Sequence, residues 1–302
     1  MPITLKQMRY AIAVEQEGHF GRAAEVCHVT QPALSQQISL LEEICKASLF
    51  NRVGKPVRPT PFGKEFISKA KNILFETNNL ISFSLSQQGK PHHPVRFGLI
   101  PTIAPYLLPD IFPRLQENLS DVEFSISEAK TDQLLLDLED GLLDIALIAT
   151  ELPNNSPLKS TTIISDPLVL ATKMDKHKKT SHIELSDYPA EQILLLNEGH
   201  CLREQTLLAC QIKSSDTFAA TSLPTIMELV ANGMGVTLLP AISIKKEAND
   251  PRIQLLPIDS PRAKRTLNLI WHNATPFTQL FGKIADIVKR AGEVRLSQNY
   301  TF

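Results

Sequence analysis

The stretch Gln88-Gly89-Lys90-Pro91-His92-His93-Pro94 divides the chain. A glycine and two prolines placed this closely end any helix that reaches them. The hydrophobic pattern also changes there. Before the break, apolar residues recur at helical spacing; after it, short apolar runs alternate with helical stretches. One packed layer cannot serve both patterns across such a break. The chain therefore reads as a small helical head followed by a larger α/β body. A length of 302 residues agrees with two domains.

The head and body also differ in charge. The whole chain has a formal net charge of −1, yet residues 1–90 hold 11 basic and 7 acidic side chains. A mildly basic head on an acidic body is the distribution of a nucleic-acid-binding module, and equally of a lysine-bearing solvated helix. No apolar run approaches the roughly 18 residues of a membrane span. The start, Met1-Pro2-Ile3-Thr4-Leu5-Lys6-Gln7, lacks a secretory pattern, so a cytoplasmic location without membrane contact is expected. Four cysteines in so long a chain do not make a disulfide scaffold; a bridge in that compartment would be transient or redox-sensing. CxxC, HExxH, P-loop and GxGxxG motifs are absent, so neither cofactor nor metal is expected. His92-His93 has no third ligand near it and reads as a solvated linker pair.

In the head, Leu5, Met8, Ile12 and Val14, with Tyr10 less well placed, approximate one apolar stripe ended by Gly18. Phe20 to Cys27 is a second, short helix in which Ala23-Ala24 permits close packing. A third begins after Thr30, a candidate N-cap, with Pro32 in its first turn. Leu34, Ile38 and Leu41 recur on one face. Gln31, Ser35, Gln36 and Ser39 then face outward, polar and uncharged. Solvated helices usually carry Glu and Lys there, whereas Gln and Ser suit base edges. The periodicity alone fits a helix-turn-helix and a plain helical bundle about equally. Leu49 to Pro59 reads as a hairpin around Gly54 carrying Arg52, Lys55 and Arg58, placed to hold phosphates. A long helix runs from Thr60 to about Gln87. Its stripe of Phe66, Ile67, Ala70, Ile73, Leu74, Leu80, Ile81 and Leu85 has no core of its own, so a partner chain is expected to cover it.

The run Phe20–Glu42, the segment Leu49-Phe50-Asn51-Arg52 and the segment Thr60-Pro61-Phe62-Gly63 resemble the winged helix-turn-helix of LysR-type transcriptional regulators. The resemblance implies α/β architecture in three parts. These are a winged helix-turn-helix DNA-binding domain over 1–62, a linker and dimerisation helix with hinge over 63–90, and a two-lobed regulatory domain over 91–302 that resembles a periplasmic binding protein. The lobes are expected at about 95–165 with 267–302, and at about 166–266. Double-stranded promoter DNA would be read by Gln31, Pro32, Ser35 and Gln36, with Arg52, Lys55 and Arg58 on phosphates.

The body fits that plan. Val95–Ile100, Val122–Glu128 and Leu143–Ala149 read as strands, separated by helices over Ala104–Leu119 and Thr131–Asp140. Such alternation predicts a parallel sheet with right-handed crossovers. Further strands are expected at Leu168–Thr172, Ile193–Leu196, Phe218–Ala220, Val236–Leu239 and Leu267–Trp271, and helices at Leu223–Asn232 and Phe277–Ala291.

Cys27 and Cys45 fall in the head, where Cys27 reads as a small buried hydrophobe. Cys201 and Cys210 fall in Gly199-His200-Cys201-Leu202-Arg203-Glu204-Gln205-Thr206-Leu207-Leu208-Ala209-Cys210. Helix formers follow Gly199, which places Cys201 at a helix N-terminus beside His200 and near Arg203. Both the helix end and the cations are expected to lower its thiol pKa. Nine residues of helix rise ~13.5 Å, whereas a disulfide needs Cα atoms within about 7 Å. The two cysteines are therefore either unconnected structural residues or a pair that joins only when the helix unwinds. Closing so short a loop is worth ~2–4 kcal/mol, comparable to the packing of a short helix.

Within the LysR-type family, these segments resemble the peroxide-sensing regulators: Val95 to Thr102 with Ala104 to Pro109, Glu128 to Leu135, Gly199 to Arg203 with Cys210, and Ala220 to Leu223. The resemblance implies a peroxidatic Cys201 and a resolving Cys210. Peroxide would take Cys201 to the sulfenic acid, and the Cys201–Cys210 disulfide would follow. Thr102, Thr131 and His200 would bind and polarise peroxide, and Arg265 would support the reactive site. It also implies a dimer through the linker helix, a working tetramer, RNA polymerase as a partner, and a glutaredoxin- or thioredoxin-like reductant. Cys45, Asn273 and Glu204 depart from the family pattern. A small organic effector bound between the lobes is the alternative signal. An enzyme such as a thiol peroxidase, or a solute-binding protein, does not accommodate the helix-turn-helix.

Overall fold

The computed structural model describes residues 2–52, 56–85, 91, 93–153, 156–175, 185, 188–212, 218–258 and 260–299. The chain forms two compact units: Met1–Leu85 with Glu139–Gly141, and Ser86–Leu138 with Leu142–Phe302.

The first unit opens with α1 (Leu5–Glu17). Thr4 and Gln7 form a reciprocal capping box at its start, and Gly18 ends it in the left-handed region at φ 59°. Helices α2 (Phe20–Val26) and α3 (Gln31–Cys45) follow. Leu34, Ile38 and Leu41 are fully buried, as their spacing predicts, against Tyr10, Ala11, Val14 and Ala23. Leu5, expected in the α1 stripe, is instead 39% exposed. Thr30 is the α3 N-cap residue but makes no side-chain capping bond. Strands β1 (Phe50–Asn51) and β2 (Arg58–Pro59) pair antiparallel as the base of a hairpin. Helix α4 (Pro61–Leu85) is seated by Thr60, whose hydroxyl donates to Ser48 O at 2.7 Å and accepts from Gly63 N at 2.9 Å. A Cβ on Gly63 would lie 2.0 Å from Leu49 O, so only glycine permits this approach. Ile67 of α4 packs into the core of its own unit, contrary to a helix wholly reliant on a partner, whereas Ile73, Leu80 and Ile81 are exposed.

The second unit contains β3 (Val95–Leu99), α5 (Ala104–Asn118), β4 (Phe124–Glu128), α6 (Thr131–Glu139), β5 (Ile145–Ile148), β6 (Leu158–Lys173), β7 (Leu195–Leu196), α7 (Cys201–Ala209), β8 (Ala219–Ala220), α8 (Leu223–Ala231), β9 (Thr237–Pro240), α9 (Ile244–Glu247), β10 (Ile253–Leu256), β11 (Lys264–His272) and α10 (Thr278–Asn299). The sheet order is β10-β6-β11-β5-β3-β4, with β9 also on β6; β7 and β8 form a separate pair.

The expected parallel sheet holds only for β4-β3-β5 and for β7-β8. The sheet is mixed, because β11 runs antiparallel to both β5 and β6, and β9 and β10 run antiparallel to β6. Strand β6 is 16 residues long and starts ten residues earlier than its apolar run implies. The expected lobe boundaries at 165–166 and 266–267 fall inside β6 and β11. These two strands continue from one set of pairing partners to the next, with a register shift between Leu267 and Asn268.

Candidate redox site and nucleic-acid interface

Three parallel strands end on one edge of the second unit. The turn after β3 carries Thr102, the turn after β4 carries Lys130 and Thr131, and β5 leads to Ala149. The carboxyl ends of parallel strands are where an α/β sheet offers a crevice. Thr102 and Thr131 are both buried there.

A buried charge pair stands behind this edge. Arg265 and Asp166 face each other across β11 and β6, and Arg265 Nε donates to Asp166 Oδ2 at 2.9 Å, with both side chains wholly buried. Arg265 Nη1 donates to Thr102 Oγ1 at 2.9 Å and Nη2 to Thr102 O at 3.0 Å. Ile242 N donates to Asp166 Oδ1 at 3.1 Å. Burial pushes the Asp166 carboxyl up, against the pull of Arg265 and these amides. The network fixes the guanidinium and occupies one acceptor site of the Thr102 hydroxyl.

Cys201 is the first residue of α7, with His200 as N-cap residue. Burial raises its thiol pKa above the ordinary value; Arg265, the Thr131 hydroxyl and the helix-end amides pull it back only in part. Thr131 Oγ1 is buried and makes no hydrogen bond of normal geometry. The expected helpers act differently. Burial and Lys130 push the His200 pKa down, which favours the neutral ring, and Arg203 turns back to donate to Leu196 O at 3.1 Å. The cation that favours the thiolate is Arg265, which the family resemblance names and local spacing does not. In a chain retaining only Cys201, iodoacetamide alkylation should accelerate ~tenfold per pH unit from about pH 7 to 9, since the thiolate fraction grows tenfold per unit below the pKa. Levelling off before pH 8 would contradict the raised pKa.

Cys210 closes the other end of α7, and its N–H donates to Thr206 O at 2.9 Å. Burial pushes its thiol up to about 11. All four cysteines are free, and an intact α7 separates the two sulfur-bearing residues by ~13.5 Å of rise. Leu202, Thr206, Leu207 and Ala209 are buried along the helix. An adjoining cleft of about 220 Å³ is lined by Thr102, Tyr106, Glu128, His200, Ser222 and Glu247, among others. Tyr106 OH donates to Glu247 Oε1 at 2.9 Å, and burial with this carboxylate raises the phenol pKa. Sequence reading did not assign a site role to Tyr106 or Glu247, which lie far apart in the chain. Among the described residues, no group of three or more His, Cys, Asp or Glu could hold a metal.

In the first unit, Gln31, Pro32 and Gln36 are exposed and Ser35 is half-buried on α3. Arg58 is exposed on β2, and Lys55 lies outside the described residues. Arg52 is engaged within the unit: Nη2 donates to Glu42 Oε2 at 2.7 Å and Ser39 Oγ at 3.2 Å, and the guanidinium lies 5.7 Å from the Phe20 ring centroid. Glu42 Oε1 in turn accepts from Leu49 N and Phe50 N. Arg52 thus ties the hairpin base to α3, a role its expected phosphate contact did not include.

Two family models match the chain: the bacterial regulatory helix-turn-helix of the lysR family over residues 5–64, and the LysR substrate binding domain over residues 88–292. The chain belongs to the LysR family. It is 35% identical to a hydrogen peroxide-inducible genes activator of Pectobacterium carotovorum over 95% of this chain and 96% of that protein. Among solved structures, it resembles a full-length OxyR variant of Pseudomonas aeruginosa, with 30% identity, a TM-score of 0.74 and coverage of 96% and 95%. It also resembles a cysteine variant of Corynebacterium glutamicum OxyR with bound H2O2, with 30% identity, a TM-score of 0.64 and coverage of 99% and 97%. Its relatives are transcription regulators, not enzymes, and in this LysR-type regulator Cys201 lies within the matched substrate binding domain. No described helix is long and apolar enough to cross a membrane.

Proposed function

We propose that this LysR-type regulator binds promoter DNA from the cytoplasm and activates antioxidant genes when hydrogen peroxide oxidises Cys201. The observation that carries this reading is the placement of the two thiols at opposite ends of α7, with Cys201 at the helix start within the electrostatic influence of Arg265. In the first step the Cys201 thiolate attacks one peroxide oxygen, the O–O bond breaks, and the departing hydroxide takes a proton to leave as water. Arg265 favours the thiolate, and the Thr102 hydroxyl proton can be donated to the peroxide. Neutral His200 borders the cleft. In the second step the Cys210 sulfur attacks the Cys201 sulfenic acid, releasing a second water and forming the disulfide, for which α7 must unwind.

Exposed Ile73, Leu80 and Ile81 suit α4 to pair with a second copy in a dimer, and two dimers make the working tetramer. Gln31, Pro32, Ser35 and Gln36 enter the major groove, and Lys55 and Arg58 hold phosphates. A dithiol of the glutaredoxin or thioredoxin type resets the switch, and RNA polymerase receives the signal. The test is mass analysis after substoichiometric peroxide, with promoter footprints of reduced and oxidised protein. A bridged Cys201–Cys210 peptide and a changed footprint are expected. Untouched thiols, or a footprint that answers a metabolite and ignores oxidation, would overturn the reading in favour of an organic effector.

A further inference from the structure

Two hydrogen bonds bracket the reactive cysteine and tie its segment to the edge formed by β4 and β5. Ahead of Cys201, Lys130 Nζ donates to Glu198 O at 2.8 Å, and its stem lies where a Cβ on Gly199 would meet it at 3.0 Å. Gly199 itself has φ +84°, so this close strap needs glycine. After Cys201, Gln205 Nε2 donates to Ala149 O at 2.6 Å. The Gln205 oxygen is buried without a hydrogen-bond partner. A buried orphan acceptor is costly, so the amide is held there for the one bond its nitrogen makes. Neither residue touches the Cys201 sulfur through any contact described above, and neither follows from the two-cysteine chemistry.

We infer that Lys130 and Gln205 are positioning residues that clamp residues 198–205 in the helical, reduced arrangement and thereby set how oxidising the surroundings must become before the Cys201–Cys210 bond forms. The inference rests on the disulfide reading above. The disulfide requires Cα atoms within about 7 Å, which an intact α7 with ~13.5 Å of rise forbids. Both clamps therefore act in the reduced form and are released when the helix opens. Removing either destabilises the reduced form selectively, and the equilibrium moves toward the disulfide.

The experiment equilibrates the full-length protein in glutathione buffers of graded ratio, quenches with acid and quantifies the bridged peptide. Lys130→Met keeps the stem against Gly199 and removes the donor; Gln205→Met removes both the donor and the orphan oxygen. Each is expected to shift the equilibrium roughly three- to tenfold toward the disulfide, a midpoint ~15–30 mV more negative for this two-electron couple. Lys130→Arg retains a donor and should stay near the parent midpoint. In Gln205→Met, the rate of sulfenic acid formation, measured separately in a Cys210→Ser background, should change less than about twofold, because this amide does not act on the attacking sulfur. Unchanged midpoints in both Met variants, with a bridge still forming in the parent, would overturn the clamp alone. A parent that never forms the bridge would overturn the disulfide reading and the clamp with it. If Gln205→Met does not fold, the exposed Lys130 decides the matter.

Discussion

Arg265→Met is expected to cost ~3–5 kcal/mol of folding stability, because it strands a fully buried Asp166 carboxylate. The loss should depend on pH with a definite sign. Burial already raises the folded-state pKa of Asp166, and without Arg265 it rises further. A group that binds its proton more tightly in the folded state stabilises the fold at low pH and loses that contribution as pH climbs from its unfolded value to its folded one. The variant should therefore come nearest to the parent in acid and fall behind through neutrality. Urea unfolding at several pH values measures this, and Arg265→Met with Asp166→Asn should recover most of the loss. A single-variant cost below ~1 kcal/mol, the range of exposed pairs, would show that the pair is hydrated after all. The same variant removes the cation that favours the Cys201 thiolate, so its alkylation should slow at every pH below the thiol pKa.

The second large effect separates the two thiols. Cys201→Ser should abolish both the bridged peptide and the oxidant-dependent footprint, since a hydroxyl cannot form a sulfenic acid. Cys210→Ser should still consume one equivalent of peroxide at Cys201 and accumulate sulfenic acid, trapped by a dimedone-type reagent, without any bridge. The raised thiol pKa of Cys210, about 11, makes it a poor attacking group while the helix is closed. In the parent, the bridge should therefore form more slowly than the sulfenic acid. Identical peroxide responses in Cys201→Ser and the parent would remove the chemical basis of the proposed switch.

The helical head was legible because its signal is periodic. Leu34, Ile38 and Leu41 are fully buried, and Gln31 and Gln36 face out. The first half of β6 was not legible. After Leu158, four polar residues from Lys159 to Thr162 precede Ile163 and Ile164, so no apolar run announces it. Strand β10 is only four residues long and was overlooked for the same reason. Cys201 could be placed at a helix start from Gly199 and the helix formers after it. Its electrostatic environment could not be read the same way. His200 and Arg203 are adjacent in sequence, yet one is driven neutral and the other points back toward β7. Arg265 lies 64 positions away and is brought to Asp166 and Thr102 by strand pairing, which local spacing does not encode.

That pairing binds reactivity to alignment. Arg265 meets Asp166, and through Thr102 the pocket, only because β11 lies on β6 in one particular register. Sliding a strand by one residue turns every side chain to the opposite face. Inserting or deleting a single residue in this stretch of β11 would turn the guanidinium away from Asp166 and Thr102 and remove its pull on the Cys201 thiol, though every residue lining the cleft kept its identity. The spacing of this ribbon is thus part of what sets the thiol's electrostatics.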